Sequence, residues 1–363
     1  MNILYITTIG DTMGFFTSII EELLKAGHTV DVATNLNIGQ LPDCYREWGC
    51  KVYPISCTRS PFNKGTLTAI KEIRRIVREG GYDIVHCHTP IAAMCTRFAC
   101  RKLRKNGLKV FYTAHGFHFY KGAPLKNWLL YYPAEWLCAH WTDTLITINH
   151  EDYNFAQKHL HAKRVEYVSG VGIDGDKFTN AVVDRAEKRR EIGVPEDAFL
   201  LMSVGELNEN KNHEVVLRAL AQTENEKIHY AIAGRGPLQE YLIKTAKELD
   251  IGEQVHLLGY RKDVPELYKA ADCCIFPSIR EGLGLAALEG AASGLPLICA
   301  DNRGTREYTV DGEDIACKYD NVNEFATAID RYYHELPPKR DAAHIQKFSF
   351  EAVNKRMREI YGG

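Results

Sequence analysis

Residues 278–300 read SIREGLGLAALEGAASGLPLICA, and they follow a short apolar run that ends at Phe276. That run predicts a strand, residues 285–292 predict a helix, and residues 297–300 predict a second strand. Glycines between the first strand and the helix allow a tight turn and a close approach of the backbone to a ligand. The stretch therefore predicts a strand–helix–strand unit with parallel strands.

The same alternation runs along the whole chain in two series. Apolar and β-branched runs predict strands at residues 3–8, 30–34, 52–55, 84–88, 110–113 and 145–148, then at 199–204, 230–233, 255–258, 273–276, 297–300 and 315–317. Apolar residues at a spacing of three or four predict helices at residues 15–26, 67–78, 91–104 and 152–159, then at 215–221, 238–249, 285–292 and 324–334. The pattern predicts an α/β protein with doubly wound parallel sheets.

The glycine-rich stretch 169–176, SGVGIDGD, separates the two series and predicts a linker. We expect one domain at residues 1–172, a second at 173–344, and a terminal segment at 345–363. One large sheet is the alternative, but twelve strands exceed the usual size of a sheet. Because such folds bind ligands at the carboxyl ends of their strands, we expect the two domains to face each other across a cleft.

Composition excludes several classes of protein. The 363 residues include 45 Lys and Arg and 47 Asp and Glu, so the basic excess of a nucleic-acid-binding protein is missing. Eleven cysteines without a C-x-x-C pair predict reduced, buried thiols in an intracellular protein. Residues 1–6 predict a strand rather than a signal peptide, and the apolar stretches are too short or too charged for a membrane span.

Two carboxylates flank the predicted helix start, Glu281 in the loop and Glu289 within the helix. The helix N-terminus offers unpaired amides and a positive dipole to an anion, so this pattern suits a ligand with hydroxyls on either side of a phosphate. The alternative is that both are ordinary acids stabilised by the helix dipole. The first turn of the chain, IGDTMG at residues 9–14, lacks the GxGxxG pattern of a nicotinamide dehydrogenase.

Glu281 and Glu289 form an E-x7-E pair that closely resembles the signature of family-four retaining glycosyltransferases of the GT-B fold. Further segments along the whole chain resemble those of this family. These are residues 205–207 with Lys211, residues 234–237, residues 259–264, residues 113–116 and the terminal helix at 350–361. The resemblance implies two Rossmann-like domains, the first binding the acceptor and the second a nucleotide sugar. The bacterial surface-polysaccharide members are the nearest in type.

The resemblance also implies roles for single residues. Glu281 would contact the transferred sugar, and Glu289 the ribose hydroxyls. Lys211 would neutralise the diphosphate, and His115 would contact the sugar from the first domain. Without the family, Lys211 is equally well a solvated lysine, and His115 a packed histidine in an aromatic loop. The remaining expected donor contacts are Gly14, Gly234, Arg261 and the amides of Gly284 and Leu285.

These features predict a retaining hexosyltransferase that uses a nucleotide sugar, with UDP as the expected nucleotide, and needs neither a metal nor another cofactor. The acceptor would be a saccharide or a polyprenyl-diphosphate-linked saccharide in surface glycan assembly. We expect a cytoplasmic protein that binds the inner face of the cell membrane. Two alternatives stay open, namely a non-catalytic partner subunit and a sugar-nucleotide epimerase of the same fold.

Three further patterns have competing interpretations. Residues 174–176 read DGD, a metal motif of another glycosyltransferase architecture, but their position favours a turn. Residues 86–88 read HCH, which we interpret as structural, with His88 able to line the cleft. The basic run 97–105 and the aromatic segment 120–137 suit an anionic lipid surface or, equally, a solvated face above an aromatic core.

One position departs from the family pattern. The family has Gly-Arg-Leu where this chain has Gly205-Glu206-Leu207, so an arginine that normally helps to hold the diphosphate is replaced by a carboxylate. We expect Glu206 to turn away or to pair with a base, and Lys211 to take a larger share of the diphosphate charge. Arg280 or Arg303 in neighbouring loops could assist.

Overall fold

A computed structural model describes residues 1–60, 63–338, 340 and 342–362. Contacts between residues divide the chain into two compact units. The first unit contains residues 1–172 together with the helix that begins at Phe350, and the second contains residues 173–349.

The described residues of the first unit form a seven-stranded parallel sheet. Its strands are β1 (Asn2–Ile9), β2 (Thr29–Asn35), β3 (Val52–Pro54), β4 (Ile84–His88), β5 (Lys109–Ala114), β6 (Thr144–Thr147) and β7 (Arg164–Tyr167). They lie in the order β3-β2-β1-β4-β5-β6-β7, so the order reverses between β1 and β4. Such a reversal opens a crevice at the carboxyl ends of the two strands.

Helices cover both faces of this sheet. They are α1 (Thr17–Lys25), α2 (Cys44–Glu47), α3 (Lys64–Gly80), α4 (Pro90–Cys100), α5 (Leu125–Ala139) and α6 (His150–His159), with 3-10 turns at Gly10–Phe16 and Leu103–Asn106. Successive strand residues enter opposite cores, so that Leu4 and Ile6 lie in one apolar cluster and Ile3 and Tyr5 in the other. Burial on both faces explains why these strands are almost continuously apolar.

The second unit repeats the architecture with a six-stranded parallel sheet in its described residues. Its strands are β8 (Phe199–Val204), β9 (Ile228–Ala233), β10 (Val255–Gly259), β11 (Cys273–Phe276), β12 (Leu297–Ala300) and β13 (Ile315–Cys317). The order is β10-β9-β8-β11-β12-β13, with the reversal between β8 and β11. The helices are α7 (Gly175–Thr179), α8 (Arg185–Glu191), α9 (His213–Thr223), α10 (Gln239–Glu248), α11 (Val264–Ala270), α12 (Leu285–Ala292) and α13 (Val322–His334), with 3-10 turns at Glu209–Lys211, Gly252–Gln254, Thr305–Glu307 and Ala342–Phe348.

The last helix, α14 (Phe350–Gly362), packs on the first unit. The amide of Asn354 donates to Ser18 Oγ and to Glu22 Oε1, each at 2.8 Å. At its other end, the buried hydroxyl of Tyr361 bonds to the hydroxyl of Tyr5 and, at 2.6 Å, to Nδ1 of His86. The terminal segment thus belongs to the core of a domain that begins more than three hundred residues earlier in the chain.

The sequence-based strands and helices agree with most of these elements, and the α/β architecture with two parallel sheets is confirmed. Six of the helices and strands in the described chain were not predicted, namely β7, α2, α5, α7, α8 and α11. Residues 174–176, interpreted as a turn, instead begin α7, where Asp174 accepts a hydrogen bond from the Lys177 amide at 3.1 Å. Asp174 is therefore a helix cap.

Two properties of the described part of the chain concern membrane spanning and the state of the cysteines. None of its helices is long and apolar enough to cross a membrane. The eleven cysteines are all free thiols, and ten of them are buried.

Tyr361→Phe is expected to destabilise the first unit, because the loss of one hydroxyl leaves the hydroxyl of Tyr5 and Nδ1 of His86 without their buried partner. An unsatisfied buried polar group costs about 1–3 kcal/mol. Chemical denaturation followed by circular dichroism measures the change. Tyr260→Phe removes a hydroxyl from a side chain that is 67% exposed, and it should leave the midpoint unchanged. Equal midpoints for the two variants would contradict the anchoring role of Tyr361.

Candidate functional site

Two loops lie at the point where the strand order of the second unit reverses. Residues 205–212 follow β8, and residues 277–284 follow β11. The amide of Ile279 donates to the carbonyl of Asn210 at 2.8 Å, and the Asn210 side chain donates to the carbonyl of Arg280 at 3.0 Å. Backbone bonds therefore hold the two loops together at the carboxyl edge of the sheet, where α/β folds bind ligands.

The loop after β8 also touches the loop after β9 without side chains between them. A Cβ atom on Gly234 would lie 1.7 Å from the carbonyl oxygen of Gly205, and one on Gly236 would lie 2.4 Å from that of Leu207. The Gly234 amide donates to the carbonyl of Gly259 at 2.8 Å. Gly234 therefore permits close loop packing here, and its expected contact with the donor stays a prediction.

Lys211 and Glu281 meet across the two loops. Lys211 Nζ lies 2.7 Å from Glu281 Oε1, and about a fifth of each side chain is exposed. The ammonium group also lies 4.9 Å from the centre of the Phe276 ring. The guanidinium Nε of buried Arg303 donates to the carbonyl of Glu281 at 3.3 Å and so supports the loop. The site thus presents one cation and one carboxylate in fixed positions.

No role was predicted for Asn212, which follows Lys211 in the segment that resembles the family. Its backbone lies in the left-handed region with φ 54°, and its side-chain amide donates to the carbonyl of Pro277 at 3.2 Å and to that of Tyr319 at 2.7 Å. Asparagine tolerates this conformation better than other non-glycine residues. The Lys-Asn pair at 211–212 was therefore the available signal that the chain turns sharply after Lys211.

The N-terminus of α12 lies next to this ion pair in sequence. Its cap residue, Gly284, has φ 86°, and a Cβ there would lie 2.9 Å from both the Phe276 ring and the Tyr308 hydroxyl. Gly284 offers no side chain to bond to the amides of the first turn, which begins at Leu285. Such amides and the helix dipole favour an anion. Phosphate contacts of Gly284 and Leu285 stay predictions.

Glu289 lies in the second turn of α12 and is partly buried. Among the described residues its carboxylate has no hydrogen-bond partner, and burial raises the pKa of Glu289 to about 7, with a small opposing effect from Lys177. At neutral pH the group is thus divided between its acid and its carboxylate form. The carboxylate can accept hydrogen bonds from two neighbouring hydroxyls, as the ribose role requires.

Arg261 belongs to a network of charges on the second unit. It bonds to Asp263, with Nε 2.8 Å from Oδ1, and to Glu191, while Lys188 lies 2.9 Å from Asp263 and 2.6 Å from Glu191. The guanidinium holds the pKa of Asp263 well below its usual range. These bonds give Arg261 a structural role in this state, and its expected donor contact stays a prediction.

Glu206 turns to the solvent, as one of the two expectations stated. Its carboxylate accepts a hydrogen bond from Asn208 Nδ2 at 2.9 Å, and Asn208 Oδ1 in turn accepts one from the Lys211 amide at 3.0 Å. The pairing partner is an amide rather than the base that we considered. Glu206 therefore stabilises the turn that carries Lys211.

In the first unit, His115 directly follows β5 and its Nε2 lies 3.1 Å from Nδ1 of His88, the last residue of β4. The ring of His88 stacks on Phe16 at 4.0 Å between centroids. Burial lowers the pKa of His115 to about 4, so this imidazole is neutral at physiological pH. His86 and His88 share one face of β4, and Cys87 lies in the opposite core.

Gly14 lies in the 3-10 turn after β1, where a Cβ would meet nothing closer than 4.0 Å. The glycine that the fold requires is Gly10, since a Cβ there would lie 2.8 Å from the backbone nitrogen of Leu41. A donor contact of Gly14 stays a prediction. In the part of the chain that the structure describes, no three His, Cys, Asp or Glu side chains form a group that could hold a metal ion.

Two family models match the chain, Glycosyltransferase Family 4 over residues 15–171 and Glycosyl transferases group 1 over residues 184–347. The putative glycosyltransferase EpsD of Bacillus subtilis is 40% identical over 289 residues, which are 78% of this chain and 76% of that protein. The chain therefore belongs to this family of glycosyltransferases.

Two further similarities are informative. The Escherichia coli protein named UDP-Gal:alpha-D-GlcNAc-diphosphoundecaprenol alpha-1,3-galactosyltransferase is 29% identical over 245 residues, covering 66% of this chain and 62% of that protein. The crystal structure of Anabaena Alr3699/HepE in complex with UDP and glucose superposes with a TM-score of 0.82 at 19% identity, covering 100% of this chain and 99% of that one. The fold is thus GT-B.

Glu289→Gln is expected to stabilise the unligated protein at pH 8. Because folding raises the pKa of Glu289 above the ordinary carboxyl value, the stability contributed by its proton is complete below pH 4.5 and is lost as the pH rises through about 7. Glutamine is neutral throughout, so the gain in melting temperature should shrink as the pH falls to 5. Glu253→Gln, an exposed control, should show no such trend. A pH-independent gain for Glu289→Gln would contradict the analysis.

Lys211→Ala is expected to weaken UDP binding about 10- to 100-fold, the equivalent of one charge-assisted contact of about 1.5–3 kcal/mol. Glu206→Arg should tighten UDP binding and partly rescue Lys211→Ala, since it restores a cation beside the diphosphate. Isothermal titration calorimetry on the single and double variants measures both effects. Glu206→Gln is the control that removes the carboxylate without adding a cation. Unchanged UDP affinity in Lys211→Ala would mean that the diphosphate binds elsewhere.

Proposed function

We propose that the protein is a retaining glycosyltransferase that moves a hexose from a UDP-sugar to a saccharide or lipid-linked saccharide during surface glycan assembly. The observation that carries the proposal is the Lys211–Glu281 pair next to the glycine-capped start of α12. A diphosphate needs a cation and amides, and a sugar needs a fixed hydrogen-bond acceptor. The UDP bound by Alr3699/HepE and the diphosphoundecaprenol acceptor named for the Escherichia coli relative support the choice of substrates.

The chemistry follows from where charge develops. As the bond between the anomeric carbon and the diphosphate oxygen breaks, negative charge grows on the leaving diphosphate. Lys211 and the amides of Gly284 and Leu285 stabilise that charge in our proposal. The acceptor hydroxyl attacks from the same face of the sugar, and its proton passes to the departing diphosphate. Retention then needs no covalent intermediate with the protein.

Glu281 and His115 complete this proposal as groups that act on the transferred sugar, and Glu289 as the group that binds the ribose. Lys211 and the α12 amides do the work that a divalent cation does in metal-dependent transferases, so we propose a metal-independent reaction. Transfer at full rate in excess EDTA is the expected result. Activity that disappears with EDTA and returns with Mg²⁺ or Mn²⁺ would refute metal independence alone.

A panel of UDP- and GDP-sugars tests the donor. A ligand at one hundred times its dissociation constant stabilises a protein by about 2.7 kcal/mol, so the true donor should give a clear thermal shift. Product analysis then separates the alternatives. A partner subunit would not hydrolyse any donor, and an epimerase would convert the donor without an acceptor. NMR of the glycoside formed with an acceptor reports the anomeric configuration.

Glu281→Gln and His115→Ala should each lower turnover strongly while UDP affinity changes little, because both groups are assigned to the sugar. Glu289→Ala should do the reverse and weaken UDP binding by about 1.5–3 kcal/mol, the range for hydrogen bonds to a charged acceptor. Steady-state kinetics and calorimetry on the same three preparations give both quantities. Loss of UDP binding in Glu281→Gln with turnover preserved at saturation would reverse the two assignments.

An anionic membrane is the proposed setting of the acceptor, through the helix α5. Five large apolar side chains of this one helix are 41–72% exposed, and they are Leu125, Leu129, Leu130, Trp136 and Leu137. Exposed Lys121 and Lys126 lie near its start. Arg104 donates to the carbonyl of His140 at 2.9 Å, which places the basic 3-10 turn Leu103–Asn106 beside its end. Apolar residues flanked by cations suit an anionic lipid surface.

The double variant Leu129→Ser, Trp136→Ser should lose co-sedimentation with vesicles that contain phosphatidylglycerol. Binding of the parent protein should weaken as salt rises, since screening reduces attraction to the anionic surface. Leu336→Ser, at a side chain of the second unit that is 44% exposed, is the matched control. Equal binding of the parent protein to neutral vesicles, or equal loss in both variants, would contradict membrane binding through α5.

A further inference from the structure

His88 is the most constrained side chain near His115. It is 2% exposed, and its ring is stacked on Phe16 at 4.0 Å and on Tyr5 at 5.5 Å, with His86 at 4.2 Å. Three aromatic neighbours fix the plane of the imidazole, and the hydrogen bond to His115 selects its orientation within that plane. In that orientation Nδ1 lies 3.1 Å from Nε2 of His115.

The other ring nitrogen of His88 decides which of the two histidines donates. Nε2 is buried and has no hydrogen-bond partner among the described residues. Burial lowers the pKa of both rings, so each is neutral and carries one proton. If His115 donated, the proton of His88 would be left on the unpartnered Nε2. Buried N–H groups without an acceptor are rarer than acceptors without a donor.

The backbone directly after His88 is strained and is held by specific hydrogen bonds. Thr89 has φ 63° and ψ 141°, a region that β-branched residues rarely adopt. Its hydroxyl bonds to the hydroxyl of Thr8 at 2.6 Å and accepts from the Thr8 amide at 3.1 Å. Strain that is held by specific bonds is typical of functional sites. Here it fixes the end of β4 relative to the end of β1.

We propose that His88 is a positioning residue that sets the tautomer of His115. His88 carries its proton on Nδ1 and donates it to Nε2 of His115, which leaves the proton of His115 on Nδ1. His115 therefore offers a hydrogen-bond donor, and not an acceptor, to the ligand. The chemical group that it recognises is an oxygen with a lone pair, such as a sugar hydroxyl or a ring oxygen. This inference deepens the proposed function and rests on it for the identity of the ligand.

The tautomer can be measured without any substrate. Long-range ¹H–¹⁵N correlation spectra of protein labelled with ¹⁵N-histidine distinguish a protonated ring nitrogen from a bare one, and the loss of signals in His115→Gln assigns the ring. We expect a protonated Nδ1 and a bare Nε2 for His115 at pH 7.5. A proton on Nε2 of His115 would overturn the proposal, whether or not the protein transfers sugar.

Two replacements of His88 that have the same shape as each other test how the tautomer of His115 affects turnover. The amide of asparagine in His88→Asn can still donate to Nε2 of His115, whereas the carboxylate in His88→Asp can only accept. We expect His88→Asn to keep the proton of His115 on Nδ1 and to retain turnover. His88→Asp should move the proton to Nε2 and lower kcat about 10-fold or more, with the KM for the donor changed less. Equal kcat values for the two variants would overturn the proposal.

A wild-type protein that transfers no sugar from any donor in the panel would instead refute the proposed function. The spectrum of His115 would still decide the tautomer in that case. The two failures are therefore distinguishable.

Discussion

The proposed donor site depends on two loops, after β8 and after β9, that pack backbone against backbone. The second sheet brings the ends of β8 and β9 so close that Gly234 and Gly236 pack directly on the backbone of residues 205–207. Any side chain at Gly234 would separate the two loops. Gly205 in turn lies against the aliphatic stem of Lys211, since a Cβ atom on Gly205 would lie 3.3 Å from both Cδ and Cε of that lysine. The position of the Lys211 cation thus rests on glycines that fix the loops around it.

The ion pair between Lys211 and Glu281 contributes little to stability by itself, since the cost of removing two partly buried charges from water offsets their attraction. The main contribution of this ion pair is to position the two charged groups. Each charged group holds the other in place before any ligand binds, which reduces the ordering cost on binding. The side chains of Asn210 and Asn212 make three further hydrogen bonds to backbone carbonyls, and the amide of Ile279 donates a fourth to the carbonyl of Asn210. The two charged side chains therefore extend from loops that hydrogen bonds already hold in place.

Much of this fold could be predicted because buried parallel strands leave a strong apolar signal. The strand Arg164–Tyr167 was missed since an edge strand with alternating charged residues lacks that signal. The helix α5 was missed because its apolar residues surround the helix and Pro133 lies inside it, so no period of three to four appears in the sequence. The proposed donor residues were predicted from a motif, whereas the contact between His88 and His115 depends on the pairing of β4 with β5. No local pattern carries that information.

Two buried ion pairs elsewhere in the molecule show how buried charges are usually stabilised. Arg97 and Glu135 form two hydrogen bonds of 2.8 Å, and Arg340 lies 2.8 Å from Asp314, so each of these buried charges has a counterion. Two polar groups next to the proposed site are less well satisfied. The described residues provide no hydrogen-bond partner for the partly buried carboxylate of Glu289 or for Nε2 of the neutral His88. Folding alone would favour apolar or paired side chains at both positions. His88 is the last residue of β4, and Glu289 lies in the helix that follows β11. Both strands adjoin the reversal of strand order in their own sheet, which is where α/β folds bind the ligands that complete such hydrogen bonds.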